Sequence, residues 1–183
     1  MFTTYYMQSD TIMEPLVSKR STHFVRKNWI SGVEKRVSQL FMQHPHPNIA
    51  TVYQINDADY GIQSKDTFVD VEMLNMRIDF QKNKASILAA MRSVQEYLHT
   101  HNIMYINWTP HSIGLSDDGQ YKLFDFHACG ITHNGHTGWL IQPAHIYNYN
   151  KALDAGIESP LEIDAYCFET FLQNVSIKHG IIK

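Results

Sequence analysis

Apolar residues recur along the chain at two periods, and the switches between them divide it into elements. The first fifteen residues carry no sustained pattern, and Pro15 ends them. "PLVSK" gives a weak strand signal around Leu16–Lys19. From Ile30 to Met42 the period lengthens: Val33, Val37, Leu40 and Phe41 fall at i, i+4, i+7 and i+8, the stripe of an amphipathic helix. The prolines of "QHPHPN" stop it, because each disfavours helix at the residue before it. "IATVYQI" and "DYGIQ" then read as strands separated by Asn56 and Asp57, and "DTFVDVEML" as a third. In "KASILAAMRSVQEYLHTHN", Ile87, Leu88, Met91, Val94 and Leu98 share one helical face, and Asn102 suits a left-handed C-terminal cap. Short strands follow at "IMYI", "IGL" and "YKLFDF", the last two joined by the turn "SDDG". Residues 127–160 are rich in Gly, His, Asn and Pro and read as a long ordered loop. "SPLEIDAYCFETFLQNV" closes the pattern as an apolar helix with Ser159 as N-cap, Pro160 at its first position and Glu162 at its third. Strands with one helix, then a mostly helical half, predict an α+β domain.

Composition changes this picture little. An apolar fraction of 44% over 183 residues is enough to bury one real core. A net charge of −3 argues against a general nucleic-acid binder, although eleven His would turn the chain positive below about pH 6.5. Cys129 and Cys167 are the only cysteines and lie far apart, which excludes a disulfide framework and a Cys-rich zinc site. No apolar run approaches the ~18 residues of a membrane helix, and the N-terminus lacks the basic region of a signal peptide. The expectation is a cytoplasmic protein that engages neither membrane nor nucleic acid.

Five segments, in order, carry a resemblance. "HPHPNIATVYQI" is similar to the HPNIVxLY segment of eukaryotic-type protein kinases, between their αC helix and fourth strand. "VDVEMLN" resembles that family's fifth strand and hinge, and "SVQEYLHTHNIMY" the end of its αE helix. "IGLSDDGQYKLFDFHACG" is close to the ILLxxDGxxKLxDFGxA hairpin, and "SPLEIDAYCFETFL" to the start of helix αF, with Asp164 at the αF aspartate. The match runs from about residue 16 to 175. It implies a minimal kinase-like fold: an extension over 1–15, a reduced N-lobe and hinge over 16–76 without a Gly-rich loop, and a C-lobe over 77–183 truncated after αF.

The departures from the family pattern fall on the chemistry. The catalytic loop H-R-D-x-K-P-x-N maps onto Tyr105-Ile106-Asn107-Trp108-Thr109-Pro110-His111-Ser112. The family's Asp accepts the substrate proton and its Asn holds Mg²⁺. Asn107 carries no charge and cannot act as a carboxylate base. Thr109 replaces the Lys that steadies the transferring phosphoryl group, and Ser112 is too short to replace the metal-binding Asn. Ile106 removes the Arg that would grip an activation-loop phosphate. Each such loss costs on the order of 10²–10⁴ in rate, and here they coincide. Asp125 survives at the DFG position, where it would hold one Mg²⁺ or cap a turn, while His127 replaces the motif's Gly. Lys19, fifteen residues before Glu34, is the candidate for the family's Lys–Glu ion pair; Lys27, seven before it, is too close.

The resemblance with these losses implies a catalytically inactive pseudokinase, similar to truncated viral kinase mimics, that works by binding. Its partner would be a protein, such as a kinase it inhibits or a kinase substrate. Without αG to αI, helix αF would lack cover over Ile163, Tyr166, Phe168, Phe171 and Leu172, an apolar interface. No cofactor is expected, with ATP and Mg²⁺ as the alternative in a residual phosphotransferase using Asp125 and a Lys. A self-assembling scaffold is a further alternative. His44, His46, His127, His133 and His136 do not converge in sequence as zinc ligands must. Tyr5, Tyr6, Tyr147 and Tyr149 lack the basic stripe that base stacking would need.

Overall fold

The computed structural model describes residues 24–29, 31–144 and 146–176, and side-chain caps start two of its helices. Strand β1 (Phe24–Asn28) leads into helix α1 (Gly32–Gln43), which starts where the Ser31 hydroxyl accepts the Glu34 N–H at 3.0 Å. Val37 and Phe41 bury its inner face, and it ends at His44 before the two prolines. Strands β2 (Val52–Gln54) and β3 (Asp59–Gln63) follow; Asn56 closes their turn by accepting the N–H groups of Ala58 and Asp59. Strand β3 is central in an antiparallel sheet ordered β1-β3-β2, and it is buried along its whole length.

Next come β4 (Lys65–Thr67), helix α2 (Val71–Met76) and helix α3 (Ile78–Thr100). The expected strand over "DTFVDVEML" is corrected here. Only 65–67 pair in a sheet, because the Asp70 carboxylate accepts the Met73 N–H at 2.8 Å and so starts a helix. The long helix does bury Ile87, Met91, Val94 and Leu98, and Asn102 beyond it adopts a φ of 58°, the expected left-handed conformation.

The second half holds β5 (Ile103–Met104), β6 (Ile113–Ser116), β7 (Tyr121–Leu123), β8 (Gly130–Thr132) and β9 (Trp139–Ile141). They form two further antiparallel sheets, β4-β6-β7 and β5-β8-β9. The supposed loop over 127–160 therefore contains two strands, and also helix α4 (Tyr147–Asp154). Tyr149 and Ala152 bury one face of α4, a stripe the surrounding Asn residues obscure in sequence. Helix α5 (Pro160–Ser176) packs against α4 and α2. The architecture is α+β around one continuous apolar core.

One expectation fails at α5. Ile163, Phe168 and Phe171 are buried, and Tyr166 and Leu172 are half-buried, so no bare apolar face remains there. The cover comes from within the chain: Trp108 meets the Phe168 ring edge-on at 4.6 Å, and the Arg92 guanidinium lies over its other side at 5.2 Å. Of the exposed large apolar side chains, Val69, Met73, Met76 and Ile78 gather along 69–78, while Ile55, Leu140, Tyr147, Leu153 and Leu161 lie elsewhere along the chain. The expected strand at 16–19, together with Lys19, lies outside the described residues. Among the described residues no helix is long and apolar enough to cross a membrane.

Candidate functional site

The loop 105–112 and the Phe124–Asp125–Phe126 turn are joined directly. Phe124 donates its N–H to the Ser112 carbonyl at 2.8 Å, and the buried Tyr105 hydroxyl donates to the Phe124 carbonyl at 2.5 Å. Phe126 is clamped between Phe41 of α1 and Tyr105, with ring centroids at 4.6 and 5.3 Å. These contacts hold Asp125 at φ 70°, a left-handed conformation that a non-Gly residue adopts only when its surroundings fix it.

The loop itself is bent around a second carboxylate. Ile106 has φ 64°, an outlier for a β-branched residue. Asp164 of α5, fully buried, stabilises that bend. Its Oδ1 accepts the Ile106 N–H at 2.7 Å and the Trp108 indole N–H at 2.9 Å. Its Oδ2 accepts from Gln95 at 3.1 Å and from His99 Nε2 at 2.7 Å, both on α3. The loop's remaining polar groups close on one another. Ser112 donates its hydroxyl proton to the Asn107 carbonyl at 2.6 Å, so the Thr109 hydroxyl donates to Ser112 Oγ at 3.1 Å. Of the four loop positions singled out in sequence, Tyr105, Thr109 and Ser112 thus use their hydroxyls on the chain's own acceptors, and Asn107 is half-buried.

Around Asp125 the charges are positive. Its Oδ1 accepts from His127 Nδ1 at 2.7 Å. That hydrogen bond is the main reason the carboxyl is held below its usual range and the imidazole above its own; burial opposes both shifts. The charges of Lys27 on β1 and Lys65 on β4 also favour the ionised carboxylate. Lys65 donates to the His111 carbonyl at 2.9 Å and lies over the Phe124 ring at 4.5 Å, and burial pushes its ammonium down to about 8. Its side chain fills the gap between β4 and β6 so closely that a Cβ on Gly114 would meet it at 2.6 Å.

Glu34 is buried on α1 and accepts the Tyr60 hydroxyl at 2.7 Å; burial first, then this bond, raises the phenol. Among the described residues no ion pair joins Lys27 to Glu34. Lys27 nevertheless belongs to the site, acting on Asp125 and His127. The structure thus gathers Tyr105, Thr109, Ser112 and Asp125, with Glu34 near enough for its charge to act on His127. Sequence reasoning missed Lys65 and the His127 pairing. Lys65 has no local signal, since it reaches the site from sixty residues upstream (125 minus 65), and His127 reads in sequence only as a missing Gly and as one of five histidines that do not converge on a metal.

A Mg²⁺ ion needs several oxygen ligands in octahedral array. Asp125 supplies one carboxylate, beside His127, Lys27 and Lys65; among the described residues there is no group of three His, Cys, Asp or Glu that could hold a metal ion. No family model matches the chain, and no curated protein does either.

Proposed function

We propose that the chain is a degenerate, catalytically inactive kinase-like domain, a pseudokinase that acts by binding a protein partner. The observation that carries this reading is the state of the loop: a phosphotransferase needs a free carboxylate base and a metal clamp here. In their place stand Asn107 and two hydroxyls engaged within the loop, Thr109 with Ser112 Oγ and Ser112 with the Asn107 carbonyl. The order of elements supports the kinase-like part of the reading: a Glu-bearing helix, the Asp125 turn, and a helix whose Asp164 organises the loop. With α5 covered, the surface offered to a partner kinase or kinase substrate is the exposed apolar run at 69–78 rather than Phe168 and Phe171.

A second reading, a residual nucleotide-dependent phosphotransferase, draws on the two lysines whose charges reach Asp125. A thermal shift assay with ATP, with and without Mg²⁺ or Mn²⁺, separates the two. No metal-dependent stabilisation is expected. A shift that requires the metal and disappears in Asp125→Ala would replace the inactive reading with the enzymatic one.

A further inference from the structure

We propose a second, separate site that takes a tetrahedral oxyanion, a phosphate or phosphate monoester, in the cavity between α1, the end of α3 and the β8–β9 connection. The cavity is about 230 Å³ in volume, well above what a single water needs. Its lining includes Arg36, His101 and His133 and not one Asp or Glu.

The Arg36 guanidinium is what makes the cavity specific. Among the described residues it forms no hydrogen bond and no ion pair, although every other Arg of the described chain has a carboxylate partner: Arg26 with Asp59, Arg77 with Asp66 and Asp79, Arg92 with Glu169. A planar fork of donors left open in a carboxylate-free pocket matches the paired oxygens of a phosphate. The other walls supply donors as well. His101 Nδ1 donates to the Tyr97 carbonyl at 2.8 Å, so Nε2 is an acceptor in the neutral ring and donates to an anion only as part of an imidazolium. Asn102 donates to Asn134 Oδ1 at 3.1 Å, which orients the Asn134 amide and leaves its two N–H groups without a partner in the described residues. The left-handed backbone of Asn102 and the exchange of Thr132 Oγ1 with His136 Nδ1 at 3.1 Å fix this wall from behind. Zinc needs three or four converging ligands, and two His do not provide them; an anion needs only convergent donors and positive charge.

The site does not depend on whether the chain is catalytically inert. The test is NMR on the full chain, following the Arg36 Nε–H and the imidazoles of His101 and His133. The chain is titrated with inorganic phosphate at constant ionic strength, with acetate as the control. Saturable shifts at all three residues with phosphate, and none with acetate, are expected. Arg36→Gln, on the exposed face of α1, should weaken binding at least tenfold, and His133→Ala several-fold. Shifts that do not saturate, that acetate reproduces, or that persist unchanged in Arg36→Gln overturn the proposal. Titration with O-phosphoserine identifies the source of the group. Tighter binding than inorganic phosphate points to a phosphorylated protein side chain, and equal or weaker binding to the free ion.

Discussion

Two carboxylates stand on either side of the loop 105–112, and they are held in opposite ways. Asp164 is sealed from water and satisfied by one backbone N–H, an indole, an amide and an imidazole. Asp125 is about one-third exposed and is surrounded by the cationic groups of His127, Lys27 and Lys65. Directional donors fix geometry, so Asp164 dictates the path of the backbone through Ile106. Diffuse positive charge fixes ionisation but not shape, and so Asp125 owes its unusual backbone to the aromatic clamp on Phe126 instead. One carboxylate builds the loop, and the other lies beside His127 and within reach of the charges of Lys27 and Lys65.

The largest test of that contrast is removal of each acid. Asp164→Ala leaves four donors facing a void and releases the strained Ile106, a loss of about 3–5 kcal/mol on the scale of broken buried polar networks. Asp164→Asn keeps the shape and one good acceptor and should lose less. Urea unfolding measures both. If Asp164→Ala unfolded at the same denaturant concentration as Asp125→Ala, the distinction between the two acids would collapse.

That distinction is only half visible in the sequence. Helices α1, α3 and α5 are legible because their apolar stripes run for three turns or more, and Asn102 and the Asn56–Asp57 turn announce themselves by residue type. Helix α2 is hidden because six residues cannot display a period, and only the Asp70 cap betrays it. Helix α4 is hidden by Asn and Tyr in a segment that Gly and Pro make look irregular. Sequence order brings Asp125 and the 105–112 loop together, but it does not show that hydroxyls close on the loop, or that Lys65 arrives from another strand. Burial of α5 is likewise a tertiary matter, settled by Trp108, Arg92 and α4.

The next test probes the positive side of Asp125. Lys65 is depressed from an ordinary 10.5 to about 8 by burial, so below pH 8 the folded chain carries a charge that the unfolded chain hydrates more cheaply. Between about 8 and 10.5 the unfolded state binds more protons, and stability rises with pH through this window. Lys65→Met keeps the stem on Phe124 and removes the charge. After the lost bond to the His111 carbonyl is allowed for, it should stabilise the fold at pH 7 by on the order of 1–2 kcal/mol. Its advantage should fade above pH 10. A variant no more stable than wild type at pH 7 would mean that Lys65 is well solvated and does not fill the gap beside Gly114.

The smallest effect concerns the pair that gives Asp125 its character. His127 is raised above 6.5 by Asp125, so its contribution is complete below about pH 6.5 and is lost as pH rises through the raised value. Asp125 is lowered below 3.8, so its contribution is present above about 3.8 and is lost as pH falls through the lowered value. The pair therefore stabilises the turn most between about pH 4 and 6.5, by less than about 1 kcal/mol once solvent screening at these partly exposed groups is included. The stability gap between wild type and His127→Gln should be widest near pH 5.5 and should shrink by pH 8. NMR titration should place the His127 imidazole above its ordinary value in wild type and return it toward 6.5 in Asp125→Asn. A gap constant from pH 5 to 8 would show that His127 contributes by packing alone. Asp125 would then owe its ionisation to Lys27 and Lys65, and the contrast with Asp164 would rest on the lysines.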